Sequence, residues 1–216
     1  MKKSFLILLF STLLLTGCGK DQGGKGDNPG GDTPDPIPAG TYSKTIKLSG
    51  TEFSSFATGT NKQTDDQEFP GNKAQLLTYL LSKVDYPEMV SDIQTKKLNT
   101  AEWDTNVALC VGTGYYLNNK FNPGTLMWQS GIKIYNLQVK ARAYTKNNSY
   151  QGVVQIDEAA KIKIDENESV ALFNAGDETA TIKTLNYEYP EGVDYFTISS
   201  FGARVVLEEV TITWKV

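Results

Sequence analysis

The chemistry open to this 216-residue chain is limited first by a side chain it lacks, because there is no histidine. That removes Ser-His-Asp and Cys-His nucleophilic catalysis, histidine general bases and nearly all protein zinc sites. Of the two cysteines, Cys110 lies in the apolar stretch Val107-Ala108-Leu109-Cys110-Val111, where a free thiol behaves as a small buried hydrophobe. Carboxylates remain. Glu188, Glu191, Asp165 and Glu168 could supply the pair about 5–10 Å apart that glycoside hydrolysis needs, yet no motif frames any two of them, so no enzyme is expected. Asp165, Glu166 and Glu168 form one acidic cluster, and Asp65, Asp66 and Glu68 form another. Either invites a structural calcium ion, but neither has EF-hand spacing and a solvated turn is the expected reading, so no cofactor is assigned. Aromatic and amide side chains are the third resource. Tyr115, Tyr116, Asn118, Phe121, Tyr144, Tyr150, Tyr187 and Tyr189 fall in turn-rich stretches, and Trp103 stands in a polar one beside Asp104. Flat rings stacked on sugar rings, with amides and carboxylates bonding hydroxyls, are the ingredients of a glycan site.

The elements that must position these groups are strands. From Tyr42 onward Thr, Val, Ile and Tyr recur in short alternating runs between Gly, Asn, Asp and Pro clusters, which predicts an all-β sandwich or barrel. Strands are expected near 42–48, 107–113, 125–129, 132–143, 152–156, 161–164, 169–173, 180–185, 194–199 and 203–216. In the last, Val210, Ile212, Trp214 and Val216 share one face, while Val205 and Leu207 have the opposite parity. A bulge near Glu208-Glu209 must realign them. A similar slip separates Ile132 and Ile134 from Leu137 and Val139, and Trp128 and Trp214 read as core. One segment follows helical spacing instead, through Leu76, Leu77, Leu80, Leu81 and Val84. Asn72 with Gln75 resembles its capping box, and Pro87 is expected to start a shorter helix through Met89, Val90 and Ile93. A permanent cover for one end or edge of the sandwich is the expected role of this insertion, around 73–94; a lid over a binding site is the sharper alternative.

Ahead of the folded part, Lys2 and Lys3 precede the apolar run Phe5 to Leu15, too short for the roughly 20 residues that span a bilayer and suited to an export signal. Leu15-Thr16-Gly17-Cys18 resembles the lipobox of bacterial lipoproteins. The resemblance implies removal of 1–17, acylation of Cys18 and a stable anchor once two or more chains are attached. Residues 18–40, rich in Gly and Pro, read as a tether with a reach of roughly 25 Å, and 41–216 as one domain. Gly19-Lys20-Asp21-Gln22 is loosely similar to the charged tract that sends some lipoproteins of glycan-using gut bacteria to the cell surface. The expected location is the bacterial outer membrane, lipid-anchored. With 21 Lys and Arg against 25 Asp and Glu, and no basic stripe, nucleic acid is not an expected partner.

"ALCVGTGYY…PGTLMW", "IYNLQVKARAY" and the closing "TISSFGARVVLEEVTITW" together resemble the galactose-binding-like jelly-roll modules of such bacteria. The matching positions are Leu109, Val111, Gly112, Thr113, Gly124, Leu126, Trp128, Arg204, Val205, Leu207, Val210, Ile212 and Trp214. The resemblance covers roughly the last 110 residues and implies a jelly-roll β-sandwich; because members serve many roles, glycan contact follows from it only as one option. Alternating the connections between the two ends of the sheets gathers 114–124, 144–151, 165–168 and 186–193 at one end. That end then holds seven aromatics, Tyr115, Tyr116, Phe121, Tyr144, Tyr150, Tyr187 and Tyr189, against Phe201 alone at the other. The expectation is a monomeric, non-catalytic glycan-binding lipoprotein, with Trp103 at a groove edge. The alternative is a structural or adhesive lipoprotein that docks another surface protein.

Overall fold

Alternating Thr, Val, Ile and aromatic residues pair as antiparallel strands throughout the computed structural model, which describes residues 39–57, 70–103, 106–114, 121–148, 153–156, 158–174 and 179–215. The chain runs β1 (Thr41–Lys47), α1 (Gly50–Ala57), α2 (Pro70–Lys83), a 3-10 turn (Pro87–Met89), β2 (Asp92–Lys96), β3 (Leu98–Trp103) and β4 (Asn106–Val111). It continues with β5 (Thr113–Gly114), β6 (Phe121–Asn122), β7 (Thr125–Ala143), β8 (Thr145–Asn148), β9 (Val153–Ile156), β10 (Lys161–Ile164), β11 (Val170–Ala171), β12 (Lys183–Phe201) and β13 (Val205–Lys215).

Two strands of 19 residues each, β7 and β12, belong to both layers. Their first shared segment, Thr125–Gln129 against Tyr195–Ser199, is flanked by β2 on one side and by β10 and β11 on the other. Their second, 136–141 against 183–188, is continued by β13, then by β4 and β3, with β1 also on β13. Between the segments the register slips at Glu188/Val193 and Val193/Tyr195, and the sheet folds over itself. Leu126, Trp128, Phe196 and Ile198 from the first layer meet Leu137, Val139, Val210, Ile212 and Trp214 from the second in a single core. The result is the all-β jelly-roll sandwich that the sequence predicts.

Several local expectations hold. Trp128 and Trp214 are buried, and Cys110 is a buried thiol. The β13 register shifts between Leu207 and Glu209, and a second shift sets Thr213 on Asn136 but Trp214 on Ile134. The first bulge lets β13 change partners, from β4 over 205–207 to β1 over 209–215, and frees the Glu208 carbonyl to accept from Leu48 N at 2.8 Å. Gly112, at φ +95, and Gly124 stand back to back, and a Cβ on Gly124 would fall 2.2 Å from Gly112 N.

Other expectations are corrected. The stretch 186–193 is strand, because Pro190 and Gly192 bend β12 without ending it; likewise 130–131 lies inside β7. β3 and α1 were not anticipated. Helix α2 begins at Pro70, which suits a first helical position, so Asn72 lies inside its first turn rather than at its cap. Ile93 belongs to β2, and only the 3-10 turn follows Pro87. Leu76, Tyr79 and Leu80 are buried whereas Leu81 is exposed. The helices bury Phe53, Leu76, Tyr79 and Leu80 against the sandwich. Phe53 of α1 meets Tyr79 of α2 edge-on at 5.2 Å, Tyr79 donates to the Lys47 carbonyl at 2.7 Å, and Lys73 pairs with Asp92 of β2 at 3.1 Å. These contacts tie the helices to β1 and to β2, and so to both layers. Among the described residues no helix is long and apolar enough to cross a membrane.

Candidate functional site

Of the expected aromatic end, Tyr187 and Tyr189 stand in a strand rather than a loop. Tyr187 and Tyr189 share the inward parity of Leu185 on β12 and pack against the core. Asp165, which follows β10 with φ +50, closes the gap. Its Oδ1 accepts from Thr197 N at 2.6 Å and from Thr197 Oγ1 at 3.3 Å, and its Oδ2 accepts from the Tyr189 hydroxyl at 2.6 Å. Burial, then the hydrogen bond to Asp165, pushes the Tyr189 phenol far above its ordinary range. Burial and the same carboxylate raise Tyr187. The Tyr189 hydroxyl, through Asp165, latches the two layers together. Asp165 spends its oxygens on this latch, while Glu166 turns outward to Lys163 at 3.0 Å; among the described residues no three acidic or sulfur groups converge.

Tyr144 follows the end of β7, seven residues beyond the Leu137 that faces Tyr187, or about 23 Å along the strand. The guanidinium of Arg204 lies 3.7 Å from its ring centre, and it packs beside Ala108, Cys110 and Val206. Phe121, half-buried in β6, has its ring edge on Gly112, where a Cβ would come within 2.8 Å. Trp103 ends β3 opposite Asn106, and its side chain is outside the described part. Tyr115, Tyr116, Asn118, Tyr150, Cys18 and the cluster Asp65, Asp66 and Glu68 lie outside the described residues.

What the loop count overlooked is a strand face. In the first layer Phe196, Ile198 and Ser200 point inward, so Tyr195, Thr197, Ser199 and Phe201 point outward. Tyr195 and Phe201 keep 53% and 42% of their surface exposed, although aromatic rings gain by burial. They stand about 20 Å apart along β12. Cross-strand partners share a face, which puts Gln129 beside Tyr195, Met127 beside Thr197 and Thr125 beside Ser199, with Asp92, Gln94 and Lys96 of β2 beyond them. On the far side Lys163 faces Ser199 and Lys161 faces Phe201. The alternation Tyr195-Thr197-Ser199-Phe201 was the available signal.

The class these features define is an antiparallel jelly-roll β-sandwich with two exposed aromatic rings on one sheet face. No protein-family model matches the chain, and no curated protein matches it in sequence. Among solved structures it is similar to a variant of the family 29 carbohydrate-binding module CBM29-2, at 8% identity over 56% of this chain and 79% of that one, with a TM-score of 0.30. It is also similar to TmCBM61 in complex with β-1,4-galactotriose, at 11% identity over 59% of this chain and 88% of that one, with a TM-score of 0.29. At such TM-scores neither likeness defines the fold, which stands on the strand pairing of this chain.

Proposed function

We propose that the chain is a lipid-anchored, non-catalytic glycan-binding module that lays a saccharide across the outward face of its first layer. The observation that carries this reading is the exposure of Tyr195 and Phe201 at the two ends of a row whose middle is Thr197 and Ser199. Each ring offers rigid apolar area for stacking on a sugar face, and the Gln129 amide offers hydrogen bonds between them. Leu15-Thr16-Gly17-Cys18 supports acylation at Cys18 and placement at the bacterial outer membrane, exposed at the cell surface. The segment from Cys18 joins the domain at Thr41, beside Lys215. From there β13 runs about 33 Å to Val205, so the Phe201 end of the face is the one farther from the attachment.

The test is a saccharide array followed by calorimetry. Tyr195→Ala and Phe201→Ala should each weaken a bound saccharide about tenfold or more, a loss of 1.4 kcal/mol, with an unchanged Tm. Absence of binding across a broad array would overturn the reading. Palmitate incorporation in cells, lost in Cys18→Ala, tests the anchor separately.

A further inference from the structure

The charges on this face are unevenly placed, and the imbalance points to a ligand class. Lys96 of β2 is directly opposite Thr125, Thr125 is opposite Ser199, and Ser199 is opposite Lys163 of β10. The two lysines thus bracket a hydroxyl pair, Thr125 Oγ1 and Ser199 Oγ at 3.2 Å, across three strand spacings, or about 14 Å. Lys161 adds a third ammonium beside Phe201. Of the nearby acidic groups, Asp92 and Asp165 are engaged. Asp92 bonds Lys73 at 3.1 Å, which holds its carboxyl below the usual range. The oxygens of Asp165 are taken by Thr197 and Tyr189. Glu166 bonds Lys163, but it is fully exposed and only three residues away, a kind of pair that contributes little and yields readily to an incoming anion. Glu168 is exposed in the same turn. Lys96 and Lys161 are exposed, and among the described residues neither has a carboxylate within salt-bridge distance. On a chain of net charge −4, this half-face is a local cationic strip beside an open aromatic ring.

Resting on the glycan reading above, we infer that the saccharide this face takes is acidic, with carboxylate or sulfate groups spaced to meet Lys96, Lys163 and Lys161 while one sugar ring stacks on Phe201. The exposed ammonium groups of Lys96 and Lys161, with half-buried Lys163 beside them, attract such a chain through water, so the attraction is screened over a Debye length of about 10 Å at 0.1 M salt. A neutral saccharide would gain only the stacking and the hydroxyl bonds.

The experiment uses the full chain in mild detergent, titrated with an oligogalacturonate, an oligosaccharide of chondroitin sulfate, a neutral galactan oligosaccharide and vesicles containing phosphatidylglycerol. At low salt an acidic saccharide should bind at least about tenfold more tightly than the neutral one, with the margin shrinking as salt rises. The two acidic arms separate carboxylate from sulfate recognition. Lys96→Gln with Lys161→Gln should bring acidic binding down to the neutral level, leaving Tm and any neutral binding unchanged. Equal binding of neutral and acidic saccharides, still dependent on Tyr195, would overturn this inference and leave the glycan reading standing. Failure of every saccharide would overturn both, and lysine-dependent binding to the vesicles alone would replace the saccharide with an anionic lipid surface.

Discussion

On the outward face of the second layer, side chains answer one another across the strands. Gln138 donates to Asn186 at 2.8 Å, Thr45 and Thr211 share a bond at 2.8 Å, and Thr213 donates to Ser43 at 3.2 Å. Lys140 pairs with Glu209, Arg142 with Glu208, and Lys215 lies over the ring of Tyr135. The outward face of the first layer has similar residue types and a different outcome. Thr125 and Ser199 bond across it, two large aromatic rings stand in solvent, and among the described residues Lys96 and Lys161 have no carboxylate within salt-bridge distance. A face whose polar groups already satisfy each other has little to offer a ligand, since any new bond must replace an old one. A face that keeps rings and donors open has most of its binding capacity still available.

The largest test of that contrast is on the satisfied face. Arg142 and Glu208 retain only 12% and 14% side-chain exposure at a separation of 2.6 Å. Glu208→Ala removes one partner of a largely buried pair and should cost about 3 kcal/mol, near 10 °C in Tm for a domain of this size. Saccharide affinity measured below the new Tm should not change. The next test inverts the pattern. Tyr195→Ala combined with Phe201→Ala should lower affinity roughly a hundredfold, or 2.7 kcal/mol. Because both rings are exposed, thermal unfolding should move by no more than about 2 °C. A matching loss of stability would mean that the rings serve packing, and the contrast between the faces would dissolve.

How much of this was legible in the sequence depends on distance along the chain. Burial of Trp128 and Trp214, the bulge at Glu208 and the slip between Ile134 and Leu137 all follow from parity, which is local and needs no partner. Strand continuity was less legible. Pro190 and Gly192 read as a turn, yet pairing of Glu188 with Asn136 and of Val193 with Ile134 carries β12 through the bend. That one misreading moved Tyr187 and Tyr189 from a loop to the inner seam. Tyr195 and Phe201 were visibly outward in their alternation. Nothing in the sequence says whether another element covers an outward ring, because covering is a long-range contact.

The seam supplies the third test. Tyr189→Phe removes a hydroxyl donor from the Asp165 carboxylate and should cost about 1–2 kcal/mol, with affinity unchanged if the tyrosines are a latch. Their ionisation adds a pH signature. An unfolded tyrosine loses its proton near pH 10, whereas burial, then the charge of Glu52, pushes Tyr79 up to about 12, and Tyr189 is raised as well. A folded-state value above the unfolded one gives stability that is whole below pH 10 and is lost as pH rises above it. Denaturant titrations from pH 9 to 12 should therefore show falling stability, with a shallower slope in Tyr189→Phe.

The smallest expected effect is the one on which the comparison of faces most depends. Asn186 is exposed on the outward face of β12 and accepts from Gln138 at 2.8 Å. Asn186→Ala leaves the Gln138 amide to solvent, and exposed cross-strand pairs contribute about 0.2–1 kcal/mol. The expected loss is a few tenths of a kcal/mol, best read as a shift in urea midpoint at constant slope. Saccharide affinity should stay within error, since the polar row from Gln138 to Thr211 is already bonded to itself. A drop in affinity larger than the drop in stability would place a ligand on the second layer, and self-satisfaction of polar groups would then no longer separate a structural face from a binding one.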